Sequence, residues 1–169
     1  MFTIKKYVVV DSLEEAYKLN KSKKANVLGG LLWMKMGKKT IQTAIDLSNL
    51  NLDKIEENDE CFEIGAMVRL RDLEVHEGLN NYFNNAIKDC VKSIVGVQFR
   101  NCATVGGSIF SRFGFSDPLT CLLALDSYVK LYKGGMIPMK EFVNMPYDSD
   151  ILEKIIIKKD NRKISYMSH

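Results

Sequence analysis

The chain has 169 residues, 46% hydrophobic and 27% charged, with 24 Lys plus Arg against 21 Asp plus Glu. That length suits one domain burying about 70% of its unfolded surface, and the composition excludes disorder, collagen-like repeats and a coiled coil. A net charge of +3 is too small and too interspersed to make nucleic acid the expected partner. The runs Lys35, Lys38, Lys39 and Lys154, Lys158, Lys159, Arg162, Lys163 read as solvated faces.

No apolar stretch is long enough to span a bilayer, so no membrane contact is expected. Residues 1–20 carry Lys5, Lys6, Asp11, Glu14 and Glu15 without a continuous apolar block, so no signal peptide is expected and the cytoplasm is the expected location. Cys61, Cys90, Cys102 and Cys121 lack CxxC or Cys/His spacing, and His76 and His169 are the only histidines. A metal site is therefore not expected, and each cysteine reads as a small buried hydrophobe.

Val8 to Val10 lead into a helix that Asp11 or Ser12 can cap, with Glu14 and Glu15 at its positive end, running to about Lys21. Ala25 to Leu28 reads as a buried strand ending at Gly29-Gly30, which makes a β-α-β start. Ile41 to Leu47 is another strand, Leu50 to Ile55 a short helical turn or connector, and a lobe boundary falls near residue 53. Asn58-Asp59 signals a hairpin turn between Ile55 and the alternating strand Phe62, Ile64, Ala66.

Two helices follow: Leu70 to Val75, and a longer one over Asn80 to Ile94, with Tyr82, Phe83, Ala86, Ile87, Cys90, Val91 and Ile94 at core-facing spacing. His76, near the first helix's end, reads as an exposed surface residue. Gln98 to Ile109 is a short apolar run closing on a second glycine pair, Gly106-Gly107. Asp117-Pro118 opens a helix with Leu119, Cys121, Leu122, Leu123 and Leu125 mostly buried. Ser127 to Tyr132 alternates like a strand, Gly134-Gly135 turns it, and Ile155 to Lys158 is the last strand.

A strand ending in consecutive glycines brings backbone N–H groups close to an anion, because no side chain intervenes. Two such loops could hold both ends of a pyrophosphate-bearing cofactor. Each alone is an ordinary turn signal, with neither GxGxxG nor GxxxxGK[ST] present.

Several linked motifs, in order from about Phe2 to Phe142, carry more. Val27-Leu28-Gly29-Gly30 looks like V-x-A-G-G-T-x-L; Phe62-Glu63-Ile64-Gly65-Ala66 looks like L-x-I-G-A; Arg100 to Ile109 is similar to R-N-x-A-T-x-G-G-N-I; and Ser116 to Leu119 and Leu122 to Asp126 continue that last block. On these the chain resembles the FAD-binding subunit or domain of the xanthine dehydrogenase and carbon monoxide dehydrogenase family of molybdenum hydroxylases.

The resemblance implies an α+β, two-lobed FAD-binding fold of the vanillyl-alcohol-oxidase (PCMH) type: a small N-terminal βαβ lobe over residues 1–53 and a larger mixed-sheet lobe with helices over 54–169. It implies that Val27, Leu28, Gly29, Gly30, Leu31, Leu32, Trp33 and Met34 wrap the FAD pyrophosphate and that Ala103, Thr104, Val105, Gly106 and Gly107 meet it from the other lobe. Ser111 takes the place of a hydroxyl residue near the flavin, and Asp117 that of the acid bonding to FAD hydroxyls. It further implies an electron-transfer role, with an iron-sulfur subunit and a molybdopterin subunit as partners in trans and NAD or another acceptor taking the electrons.

The chain departs from the family at Leu31, where Thr is usual, at Ser108 in place of Asn, and at Arg112-Phe113-Gly114-Phe115 in place of a small Ala-Ser-Pro-like run. Losing one charge-assisted bond would cost about 1.5–3 kcal/mol unless Arg112 compensates. The family's C-terminal domain is expected to be absent or truncated, and a late lysine that meets the flavin in relatives has no clear counterpart. The rival expectation is a degenerate scaffold that docks on the iron-sulfur partner without holding FAD. A flavin enzyme with its own substrate finds no acid-base pair or activated nucleophile to support it. Trp33 is expected to pack against the fold.

Overall fold

A computed structural model describes residues 2–22 and 24–167. The chain folds as two sheets with helices, an α+β architecture. The first sheet is parallel, with β1 (Thr3–Val9), β2 (Ala25–Val27) and β3 (Thr40–Asp46) in the order β1-β3-β2. Parallel neighbours need crossovers, and helices α1 (Leu13–Asn20) and α2 (Leu32–Met36) supply them. Ser12 caps α1, its Oγ accepting from the Glu15 amide at 3.1 Å, while the Glu15 carboxylate accepts from the Asp11 amide at 3.1 Å. Ala16 of α1 packs with Val10, Ile45 and Leu47, and Ile151 from late in the chain closes this small core.

The second sheet is antiparallel. It comprises β4 (Ile55–Glu57), β5 (Cys61–Gly65), β6 (Ser127–Leu131), β7 (Gly135–Pro138) and β8 (Leu152–Lys158) in the order β4-β5-β8-β6-β7. Central β8 is buried at nearly every position, which is why Ile155, Ile156 and Ile157 run consecutively rather than alternating. Between β5 and β6 lie α3 (Leu70–Val75), α4 (Glu77–Tyr82), α5 (Ala86–Lys92), α6 (Val97–Arg100), α7 (Val105–Phe110) and α8 (Asp117–Leu123), and α9 (Met139–Phe142) follows β7. Their apolar sides meet Phe62, Ile64, Val129, Leu131, Ile155 and Ile157 in the main core. The hairpin is as read, with Ile55 opposite Ile64 and the Asn58 side chain accepting from the Glu60 and Cys61 amides at 2.9 and 2.8 Å.

Several expectations are corrected. The helix read over Asn80 to Ile94 is two helices, because Asn84 and Asn85 adopt left-handed φ of 49° and 62°, a conformation Asn tolerates better than most residues. The Asn80 side chain holds this joint: it donates to the carbonyls of Leu73 and Glu74 and accepts from the Lys88 amide at 3.0 Å. The apolar stripe nonetheless lies in the core. Of the two readings for Leu50 to Ile55 the connector holds: a 3-10 turn at Ser48–Leu50 leads into it and Ile55 opens β4. His76 is half-buried rather than exposed, and its Nδ1 caps α4 by accepting from the Leu79 amide at 3.1 Å. Cys61, Cys90 and Cys121 are buried, whereas Cys102 is exposed.

The second glycine pair does not end a strand; it forms the first turn of α7. Thr104 caps that helix, its Oγ1 accepting from the Gly107 amide at 3.2 Å. A Cβ on Gly106 would lie 2.6 Å from the Ala66 carbonyl oxygen, so glycine there lets α7 lie against the end of β5.

Candidate functional site: an inter-sheet cleft

A cleft of about 1010 Å³ opens between the carboxyl end of the first sheet and the α7–α8 region of the second. This is where open parallel sheets accept ligands, and the size is at the upper end of the roughly 300–1,000 Å³ common for small-molecule and cofactor sites. One wall is the segment from Val27 to Met34; the facing wall carries Ala103, Thr104, Gly106, Gly107, Ser111 and Asp117. Of the residues singled out in the sequence, Val105 does not reach the cleft. Its side chain is fully buried in the main core.

The two walls touch at their base. A Cβ on Gly30 would sit 2.0 Å from the Cys102 carbonyl oxygen and 2.9 Å from Ala103 Cα, so the first loop lies directly on the second loop's backbone. Beyond Gly30 the chain turns through Leu31 at φ 63° into α2. The Leu28 amide donates to Ile45 O at 2.8 Å, and the Lys35 amide to Leu31 O at 2.9 Å. Among the described residues the intervening amides, Gly29 to Met34, have no acceptor. Consecutive free donors in a cleft wall form an anion cradle.

The second loop differs. The Val105 amide donates to Val68 O at 2.8 Å, Gly106 to Ala66 O at 2.7 Å, Gly107 to Thr104 Oγ1 and Ser108 to Thr104 O. The Val105 and Gly106 amides fasten α7 to the chain just beyond β5, those of Gly107 and Ser108 are taken by Thr104, and none is available to a ligand. The symmetrical picture of two glycine loops both presenting free amides is therefore replaced by one cradle and one buttress.

Hydroxyls and one carboxylate complete the facing wall. Ser111 Oγ donates to Gly107 O at 2.6 Å, leaving its lone pairs free to accept. Asp117, in the first turn of α8, is half-buried and takes a short hydrogen bond from the Tyr166 hydroxyl on one oxygen. Burial and that bond push the Tyr166 hydroxyl pKa well above its ordinary value, so it stays a donor. Asn20 Nδ2 donates to Ser149 O at 2.9 Å and ties α1 to the loop before β8, another part of the wall.

At the rim stand Trp33, Phe113 and Phe115. Trp33 is 58% exposed and does not pack into the fold as expected; it touches only the other two rings among the aromatic contacts. Arg112 does not enter the cleft lining. It sits at φ 47° with its Nε donating to Phe142 O at 2.9 Å and its guanidinium over the rings of Phe142, Tyr147 and Phe110. Sequence reading placed Arg112 to Phe115 beside the site but left Phe113, Phe115 and Tyr147 out of its residues, since no local signal separates an aromatic at a cleft rim from one in a core.

The whole ensemble matches, over residues 2–159, the family described as the FAD binding domain in molybdopterin dehydrogenase. The chain belongs to that family. FAD is the cofactor of the family, and an anion cradle in a cleft of this size fits its diphosphate and extended body. Among curated relatives, the chain is 29% identical over 167 residues to the uncharacterized protein YgfM of Escherichia coli K12, covering 94% of this chain and 61% of that protein. It is 28% identical to the 6-hydroxypseudooxynicotine dehydrogenase complex subunit alpha of Paenarthrobacter nicotinovorans, covering 92% of this chain and 55% of that one. The chain thus spans less than two thirds of the length of these relatives.

Among solved structures, CO dehydrogenase from Oligotropha carboxidovorans superposes with a TM-score of 0.80 at 21% identity, over 93% of this chain and 59% of that one. Quinoline 2-oxidoreductase from Pseudomonas putida 86 gives 0.76 at 16% identity, over 94% and 59%. At these identities the likeness establishes the fold, the two-lobed FAD-binding type implied by the motifs.

Proposed function

We propose that this chain is the FAD-binding, electron-transferring part of a molybdenum hydroxylase of the xanthine dehydrogenase and CO dehydrogenase kind. In this reading it receives electrons from an iron-sulfur subunit served by a molybdopterin subunit, and passes them through FAD to NAD or another acceptor in the cytoplasm. The observation that carries it is the run from Gly29 to Met34, which lines the cleft and whose amides find no acceptor among the described residues. That arrangement suits the negative charge of a diphosphate.

Each residue's share follows from its surroundings. The Gly29 to Met34 amides hold the diphosphate, with Val27 and Leu28 anchoring the loop to β3 through the Leu28 amide. Ala103, Thr104, Gly106 and Gly107 set the depth of the cleft floor, with Val105 as their anchor in the core. Ser111 accepts from a ligand donor, and the second Asp117 oxygen accepts from ligand hydroxyls. The bound flavin supplies the ability to take and give electrons.

A titration of the purified chain with FAD, followed by flavin fluorescence and visible absorption with FMN and NADH alongside, tests the reading. Saturable one-to-one binding of FAD, with FMN weaker, is expected because FMN lacks the diphosphate. Absence of FAD binding would refute the flavoprotein reading and favour the scaffold that docks on an iron-sulfur partner without cofactor.

A further inference from the structure

Three large aromatic side chains that the fold leaves in solvent stand together at the rim of the cleft. Trp33 is 58% exposed, Phe113 40% and Phe115 66%. Phe113 and Phe115 stack with ring centroids 5.0 Å apart and planes 12° apart. Trp33 meets Phe115 at 5.6 Å and Phe113 at 6.3 Å, at 58° and 68°. All three line the same cavity as the Gly29 to Met34 segment. Trp33 belongs to α2 on one wall, and the phenylalanines belong to the loop between α7 and α8 on the other.

The loop that carries the phenylalanines is fastened from behind. Arg112 adopts φ 47°, and its guanidinium lies 3.9 Å from the Phe142 ring centroid, 4.8 Å from that of Tyr147 and 5.3 Å from that of Phe110. Its Nε bonds to Phe142 O, and the Tyr147 hydroxyl bonds to Ser111 O. Cation–π contacts and these two bonds hold the loop's root in place, so the rings are presented before any ligand arrives, which lowers the ordering cost of binding.

We propose that Trp33, Phe113 and Phe115 form a stacking platform that takes a planar heteroaromatic ring of the bound dinucleotide. The proposal rests on the FAD reading of the cleft. Free amides for a diphosphate and partly exposed aromatic rings in one cavity are the two halves of dinucleotide recognition, and a rim of clustered exposed aromatics marks a binding site. Adenine and isoalloxazine share the flat, polarizable chemistry that such a platform selects.

The test compares the intact chain with Trp33→Ala, Trp33→Phe and the double change Phe113→Ala with Phe115→Ala, each titrated with FAD, ADP and FMN. Because these side chains are exposed, thermal unfolding should be unchanged and serves as the check on folding. Stacking of one ring on an aromatic predicts that Trp33→Ala and the double variant each lose FAD affinity by about 5- to 150-fold. Trp33→Phe should stay within a few-fold of the original.

Trp33 is the only tryptophan, so its emission reports on the site. Quenching by FAD can arise from energy transfer alone, so the affinities decide. An equal loss for ADP assigns adenine to the platform, and an equal loss for FMN assigns isoalloxazine. FAD bound with undiminished affinity by both truncated forms would overturn the platform and leave the FAD reading standing. Failure of the unaltered chain to bind FAD at all would overturn both.

Discussion

Replacing Gly30 by alanine tests whether the close approach of the two loops is what builds the site. The added Cβ would lie 2.0 Å from the Cys102 carbonyl oxygen, 2.7 Å from the Cys102 carbonyl carbon and 2.9 Å from Ala103 Cα. All three are backbone atoms, so no side-chain rotation relieves the clash, and the loops must part by roughly 1.5 Å to restore ordinary van der Waals spacing. Overpacking costs about 1–3 kcal/mol, and a rigid obstacle points to the upper half of that range. Against it, Gly30 has no left-handed φ, so alanine restricts the unfolded chain and returns about 0.4–1 kcal/mol.

A net loss of about 2 kcal/mol remains, equivalent to a fall in Tm of about 4–8 °C for a chain of this size. FAD affinity should fall by at least about tenfold, because the shift moves the Gly29 to Met34 amides relative to the Thr104 wall and hydrogen bonds weaken steeply with distance and angle. Thermal unfolding and flavin titration measure the two effects. Gly37→Ala is the control: its Cβ would meet nothing closer than 3.5 Å at φ −89°, and its stability should stay level or rise by up to about 1 kcal/mol. If both variants melt and bind as the parent does, the two-loop contact does not shape the cleft.

Asp117→Asn should weaken FAD by about 10- to 150-fold in the same titration, from loss of a charged acceptor worth about 1.5–3 kcal/mol. Leu31→Thr, which restores the family's hydroxyl, should gain little affinity and lose stability, because a β-branched residue is strained at φ 63°. Leu31→Asn should tolerate the backbone and tighten FAD by up to about tenfold, so calorimetric titration of the pair separates the hydroxyl from the strain.

Glu74→Gln should cost about 3–5 kcal/mol in urea unfolding, since it leaves Arg100, whose side chain is 6% exposed, as an uncompensated buried cation. Burial alone would raise the Glu74 pKa, but hydrogen bonds from Arg100 and Arg71 outweigh it and the net shift is downward. The contribution is therefore full above the ordinary value of 4.5 and is lost as pH falls through the lower folded value. The acid limb of the stability profile should flatten in the Gln variant.

The sequence alone sufficed for features that local chemistry decides. Capping at Asp11 or Ser12, the hairpin at Asn58 and the order of glycine, R-N-x-A-T and S-D-P motifs each depend on residues close together in the chain, and these led to the fold class, the cofactor family and the cleft-lining segments. The tertiary structure decided what the glycines are for. Gly30 is small because the Cys102 backbone lies against it, and Gly106 because Ala66 does. Neither contact can be read from a strand-like run of neighbours.

Long-range bonding also settled which loop faces a ligand. The first two α7 amides, of Val105 and Gly106, are satisfied by Val68 and Ala66, residues 37 and 40 positions away, whereas those of Gly29 to Met34 meet no acceptor among the described residues. The break at Asn84-Asn85 and the burial of Val105 away from the cleft have the same origin, because hydrophobic spacing shows that a side is buried but not against what. Trp33, Phe113 and Phe115 come together from segments about 80 residues apart in the chain, so only the folded chain could reveal them as one surface.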